Sequence, residues 1–206
     1  MTTTNLPPAS QSPAAAFSVQ SRRAMVDSQL RTSGVNEPWV LAAMAALPRE
    51  DFVPENARAG AYTDRAVPLG NGRYLAAPLV HGRMLAEAAP VPTDKALLVS
   101  GGSDYLAALL RPLVGSLEVV DAADVATAAR SGPYSLIIVD GAAEELPASL
   151  TAALADNGRL VTGLVERGIT RLATASRVGD AVAVLPLAEM GIPVLAEFAA
   201  PKRWSF

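Results

Sequence analysis

Apolar positions in the first part of the chain recur at helical spacing. Met25, Leu30, Val40, Ala43, Met44 and Leu47 carry the pattern, and the Gly34-Val35-Asn36 turn divides it. This predicts two short helices between Ser21 and Pro48. Asn36 ahead of Glu37 and Pro38 marks the second start, because an Asn side chain accepts from free amides and Pro in the first turn forfeits no bond. Pro48 ends it. Residues 49–80 mix Pro, Gly and charge with alternation too brief for firm strands, so they read as an irregular cover lying on something else. Ahead of both, MTTTNLPPASQSPAAAFSVQ has no charge and no continuous apolar core of signal-peptide length, and is expected to be a mobile tail.

Beyond Pro78 the texture becomes helix alternating with strand, the sign of a parallel α/β sheet. Leu79–Ala89 is expected as a helix, Ala96–Ser100 as a short buried strand, Tyr105–Leu113 as a helix, and Leu117–Asp121 and Tyr134–Asp140 as strands. Leu146–Ala155 follows as a helix closed by Asn157-Gly158, and Arg159–Leu164 as a fourth strand. Two more strand candidates lie beyond Ala181; the last, near Val194–Phe198, is expected to pair antiparallel with its predecessor. The implied division is a tail (1–20), a helical and irregular cover (21–78) and a Rossmann-like α/β domain (79–206) with helices on both faces.

Composition narrows the classes. The 206 residues suit one domain with a real core. Half are apolar, yet the richest stretches, Ala96–Val99, Leu106–Leu110 and Leu136–Val139, are far shorter than the ~20 residues a membrane span needs. Absence of cysteine excludes disulfides, thiolate metal sites and a thiol nucleophile. A net charge of −3 offers no long-range attraction to nucleic acid or anionic lipid, so neither is an expected partner.

Ligands of such sheets bind outside the carboxyl ends of the strands, where a glycine-rich turn lets backbone amides approach. Here the turn is Ser100-Gly101-Gly102-Ser103-Asp104. Asp121, twenty residues after Gly101, stands at the end of the next strand, where an acid can bind the ribose hydroxyls of an adenosine cofactor. The plainer alternative is a strand-to-helix turn with Asp104 as a helix-start acid and Asp121 as a solvated strand end.

Residues 22–78 resemble the amino-terminal segment of the protein-L-isoaspartate O-methyltransferase family. The landmarks fall in order: Met25-Val26 with Gln29-Leu30, Val40-Leu41 with Ala43-Met44, Pro48-Arg49, Phe52-Val53-Pro54, Ala61-Tyr62 with Asp64, and Pro68-Leu69-Gly70. Ile137–Ala142 and Leu154–Val161 are similar to that family's fourth and fifth strand motifs. The resemblance implies a cytoplasmic S-adenosylmethionine-dependent methyltransferase that esterifies isoaspartyl carboxylates in damaged proteins. A carboxylate with a reference pKa near 3.9 is already ionised at neutral pH, so alignment and desolvation suffice and no general base is needed. On this reading Ser100, Gly101, Gly102, Ser103, Tyr105, Asp121, Asp140 and Gly141 hold the cofactor, and Arg73, Ala76 and Pro78 lie on the substrate side. No metal ligands are expected, and His81, not required, is read as a helix-surface residue.

Three stretches depart from the family pattern. With Tyr105 in register, Ser100 and Asp104 stand where two glycines belong. Ala76 takes the place of a hydroxyl residue before Pro78, leaving Arg73 as the nearby group able to recruit a carboxylate. Only twelve residues, 122–133, separate Asp121 from Tyr134, enough for a short helix but not for the further strand and adenine-pocket loop of the family. The sheet is therefore expected to end at Leu117–Asp121, an open edge where a second copy could pair. Two readings follow: a divergent carboxyl methyltransferase, or an inactive methyltransferase fold serving as a binding module. A nicotinamide-dependent reductase ranks last, lacking a catalytic Tyr/Lys or His pair.

Overall fold

Alternation in two central strands sets the layering. In β3 (Lys95–Ser100), Ala96 and Leu98 join one buried cluster while Leu97 and Val99 join another. In β5 (Tyr134–Ala143), Leu136 and Ile138 belong to the first, Ile137 and Val139 to the second. Strands buried on both faces read as continuous apolar runs, and this is why β3 and β5 are legible in the sequence. The computed structural model describes residues 13–128, 131–179 and 181–200.

The first face carries α3 (Pro78–Ala88) and α4 (Tyr105–Leu110) with the amino-terminal cover; the second carries α5 (Val125–Ala128), α6 (Ala148–Ala152) and the segment holding Leu195 and Phe198. β4 (Ser116–Asp121), β6 (Leu154–Glu166), β7 (Ile169–Val178) and β8 (Ala181–Glu189) complete a sheet of order β4-β3-β5-β6-β7-β8. The first four are parallel, and β7 and β8 are added antiparallel. Helices thus cover both faces as expected, and β4 is a sheet edge. Between β4 and β5 the described chain forms a 3₁₀ turn (Ala122–Asp124) and the four-residue α5, with no strand.

The cover is more ordered than its composition suggests. α1 (Pro13–Met25) runs into a π-helical turn (Val26–Leu30), and α2 (Pro38–Ala46) follows. Residues 13–20, expected as tail, are therefore helical; residues 1–12 lie outside the described residues. Met25, Leu30, Val35, Val40 and Met44 have no exposed surface. Each contributes on the order of 1.5–3 kcal/mol by burial against the sheet's helices. Pro38 is the first helical residue, but the capping position is Glu37, without a side-chain cap bond, and not Asn36. Within residues 49–80, β1 (Val67–Gly70) and β2 (Arg73–Leu75) form an antiparallel hairpin.

Three expectations late in the chain are corrected. The antiparallel partner of β8 is β7, and Val194 makes only an isolated bridge to Ala142 before a 3₁₀ turn at Ala196–Phe198. The expected helix at Leu146–Ala155 shrinks to α6. Asn157-Gly158 lies inside β6, where the register jumps from Leu154 to Arg159 against Tyr134 and Leu136 and Asn157 has a φ of 57°.

Candidate functional site at the strand ends

β3 and β4 finish side by side, and β5 runs past them to Ala143. Ser100 pairs in register with Asp121, and Val99 with Val139, so the glycine turn, Asp121 and Asp140 share one corner. β3 has β4 on one side and β5 on the other, so this corner is the switch point of the sheet, where ligands of open α/β folds bind.

Glycine is required in this turn for two different reasons. A Cβ on Gly101 would lie 2.2 Å from the carbonyl oxygen of Asp140, so no side chain fits between β3 and β5. Gly102 has a φ of +105°, a conformation side chains disfavour. Ser100, in a glycine's place, is used by the turn itself: its Oγ accepts from the Gly102 amide at 3.1 Å and donates to the Ser103 carbonyl at 3.4 Å. The Ser103 hydroxyl accepts from the Tyr105 amide at 3.2 Å. Asp104, expected as a helix-start acid, makes no capping bond.

Asp121 is engaged as well. Its Oδ1 accepts from Arg73 Nη2 at 2.8 Å and from the Ala123 amide at 3.1 Å. The same Nη2 donates to Glu197 Oε1 at 2.7 Å, and Nη1 reaches Glu197 Oε2 at 3.3 Å. Arg73 leaves β2 directly over the turn, its Cβ 2.7 Å from where a Cβ of Gly102 would be. One guanidinium therefore joins the cover, the end of β4 and the carboxy-terminal segment. That segment also roofs β5: the Leu195 amide donates to Ala142 O at 2.9 Å, and Leu195 fills the open side of Gly141.

Beneath the turn lies a buried polar chain. Arg49 is fully buried, with Nε donating to Ala61 O at 2.8 Å, Nη2 to Ala76 O, and Nη1 to His81 Nδ1 at 3.0 Å. An arginine only donates, so Nδ1 accepts and Nε2–H of His81 donates to Asp140 Oδ1, 2.9 Å away. Burial lowers the pKa of Arg49, opposed by the Tyr105 hydroxyl and by Asp140, and the guanidinium also lies 4.8 Å from the Tyr105 ring. Burial likewise raises Tyr105, opposed by Arg49. Asp140 Oδ2 is buried and has no hydrogen-bond partner among the described residues.

His81 is accordingly not a helix-surface residue: it faces inward from α3 with no exposure. Of the substrate-side candidates only Arg73 reaches the corner with its side chain; Ala76 and Pro78 are buried at the start of α3. Sequence reading missed Arg49, His81 and Glu197 as members of this corner. Pro48-Arg49 stands among the landmark pairs and was the available signal; Glu197 carried none.

A cofactor of adenosine type fits this corner in part. Asp121 and the unpartnered Asp140 Oδ2 suit a ribose diol and an ammonium group, whereas the Gly102 amide and Asp121 are already bonded within the chain. Among the described residues no helix is long and apolar enough to cross a membrane.

Residues 20–125 match the family model described as protein-L-isoaspartate(D-aspartate) O-methyltransferase. The match stops just beyond β4, where the connection to β5 is short. Among curated relatives, a protein-L-isoaspartate O-methyltransferase of Methanoregula boonei is 33% identical over 184 positions, covering 77% of this chain and 85% of the relative. One of Roseiflexus sp. strain RS-1 is 34% identical over 185 positions, covering 77% and 84%. In solved structures, a Plasmodium falciparum chain of this type crystallised with S-adenosyl-L-homocysteine superposes with a TM-score of 0.68 at 17% identity, covering 85% of this chain and 98% of that one. Fold and sequence agree, and the chain belongs to the protein-L-isoaspartate(D-aspartate) O-methyltransferase family.

Proposed function

We propose that this protein transfers a methyl group from S-adenosylmethionine to the carboxylate of an isoaspartyl residue in a damaged protein, in the cytoplasm, at the corner where β3 and β4 end beside β5. The observation that carries this reading is the register pairing of Ser100 with Asp121 beside Asp140 at the switch point. When bound, the cofactor supplies an electrophilic methyl group to a carboxylate that is already ionised. Asp121 would hold the ribose, Asp140 Oδ2 the ammonium, and Ser100, Gly101, Gly102, Ser103 and Tyr105 the backbone wall around them. Gly141 would contribute only through Leu195 above it. Arg73 would receive the substrate carboxylate. The chain's task is then to align two reactants and to exclude water.

Transfer of labelled methyl to an isoaspartyl peptide, compared with the aspartyl peptide, tests this activity. Labelling of the isoaspartyl peptide alone is the expected result. Asp121→Ala should lose most cofactor affinity; unchanged affinity would remove the ribose role.

A second reading, a binding module without catalysis, is favoured by the internal bonds of the Gly102 amide and Asp121. No labelling together with no heat of S-adenosylhomocysteine binding would favour it. On either reading the β4 edge either pairs two copies or is locally loose, and a monomer in light scattering with strong amide protection at Leu117–Val120 would contradict both.

A further inference from the structure

Arg73 does more than stand near the corner. Its stem lies over Gly102, and its guanidinium holds Asp121, the acid assigned to the ribose, through the same Nη2 that bonds Glu197. The side chain is 20% exposed, so these ion pairs remain partly in water and are exchangeable. A ribose diol that bonds both oxygens of Asp121 must take Oδ1 from Arg73 Nη2, which shares it with the Ala123 amide. The latch and the diol compete at Oδ1.

We propose that Arg73 is an intramolecular latch on the cofactor site, released when the cofactor takes Asp121, and that the freed guanidinium then binds the carboxylate of the incoming substrate. This inference rests on the proposed function and deepens it by imposing an order: cofactor first, isoaspartyl carboxylate second. In the latched state Arg73 has its full complement of carboxylates within the chain, so a peptide carboxylate has nothing to gain there. Once Asp121 is taken by the diol, one Nη2–H of Arg73 is freed while Glu197 keeps its bonds to both arms of the fork, and a peptide carboxylate takes the place of Asp121 on that N–H. Glu197, from a segment that otherwise roofs β5, steadies the arginine in both states.

The latch has an arithmetic consequence. Apparent cofactor affinity is the intrinsic affinity reduced by the fraction of molecules with the latch open, so removing the latch tightens binding. Titration calorimetry with S-adenosylhomocysteine on the full chain reads this directly. Arg73→Ala should bind it roughly tenfold more tightly than the wild type, corresponding to a latch open in about one molecule in ten. Glu197→Gln, which weakens the latch but keeps the guanidinium, should give a smaller gain in the same direction. An isoaspartyl peptide titrated into protein saturated with S-adenosylhomocysteine should bind at least tenfold more weakly to Arg73→Ala, and nearly normally to Glu197→Gln. A merely structural role for Arg73 would not move the two affinities in opposite directions.

Circular dichroism and a thermal scan establish that each variant is folded, and Glu197→Gln carries the test if Arg73→Ala is not. Unchanged or weaker cofactor binding in the folded variants overturns the latch and leaves the methyl-transfer reading in place. Binding that is absent in the wild type but present in the variants supports the latch and overturns the activity proposed for the native chain. No binding in any of them overturns both. Equal peptide affinity in Arg73→Ala and wild type overturns the exchange of carboxylates.

Discussion

His81 Nε2 donates to Asp140 Oδ1 across 2.9 Å, with neither side chain appreciably exposed. Arg49, bonded to the other ring nitrogen, extends this into a chain that runs from the cover, through α3, to the end of β5. A buried carboxylate, a ring and a guanidinium each need the others to offset the cost of leaving water. The cover and the sheet are therefore joined by charge as well as by apolar packing, directly under the glycine turn.

Removing one member should be expensive. Arg49→Met leaves Asp140 and His81 buried without their cation, and also orphans the carbonyls of Ala61 and Ala76. A loss of about 3–5 kcal/mol is expected. Urea unfolding checks it, and a loss below 1 kcal/mol would show the chain to be dispensable. Arg49→Lys should recover little, because a single ammonium cannot reproduce the fork.

At the opposite end of the strands, Asp94 supplies the acid sensitivity. Burial alone would raise its pKa, but Arg159, the Ser135 hydroxyl and the Val91 amide outweigh it and hold the carboxyl below its usual range. The folded state thus favours the ionised form. Its contribution is fully present above the unfolded value of about 3.9 and is lost as pH falls through the lowered folded value. The stability gap between wild type and Asp94→Asn should be constant above about pH 4 and should narrow below it. A gap that widens on acidification would contradict this assignment.

Gly101→Ala should destabilise through backbone contact alone. The added methyl would sit 2.2 Å from Asp140 O, and overpacking of this kind costs about 1–3 kcal/mol. Because the strain acts between β3 and β5, amide exchange should quicken at Leu97–Val99 and Ile137–Val139 before it does at β8. Uniform exchange would point to a global effect.

Leu195→Ala empties the space over Gly141. Leu195 is 3% exposed, and large-to-small changes of this kind cost about 2–5 kcal/mol. The loss should show in denaturant melts. A milder cost would mean that the carboxy-terminal segment settles into the gap.

Much of the sheet was readable because β3 and β5 are apolar on both faces. β7 was missed: Ile169–Val178 alternates Thr, Arg and Ser with Leu172, Ala173 and Ala175, and its polar members conceal the run. The hairpin turn at Arg167-Gly168 has both residues at positive φ, yet in the sequence it offers only its glycine as a signal, because Arg is not a usual first residue of such turns. The site was legible as far as its local parts extend: the turn and the acid one strand later. What could not be read were its long-range partners. Arg73 meets Asp121 across 48 residues and Glu197 across 124, and His81 meets Asp140 across 59. No periodicity carries such information. His81 was misplaced because a lone imidazole on a helix says nothing of the guanidinium and carboxylate that the fold brings to it.

The position of Glu197 also orders events during synthesis. Arg73, the glycine turn and Asp121 leave the ribosome well before residues 190–200, so a nascent chain can already pair β3 with β4 while β5 has no roof and Arg73 has one carboxylate instead of two. The corner that is first to be encoded is the last to be finished.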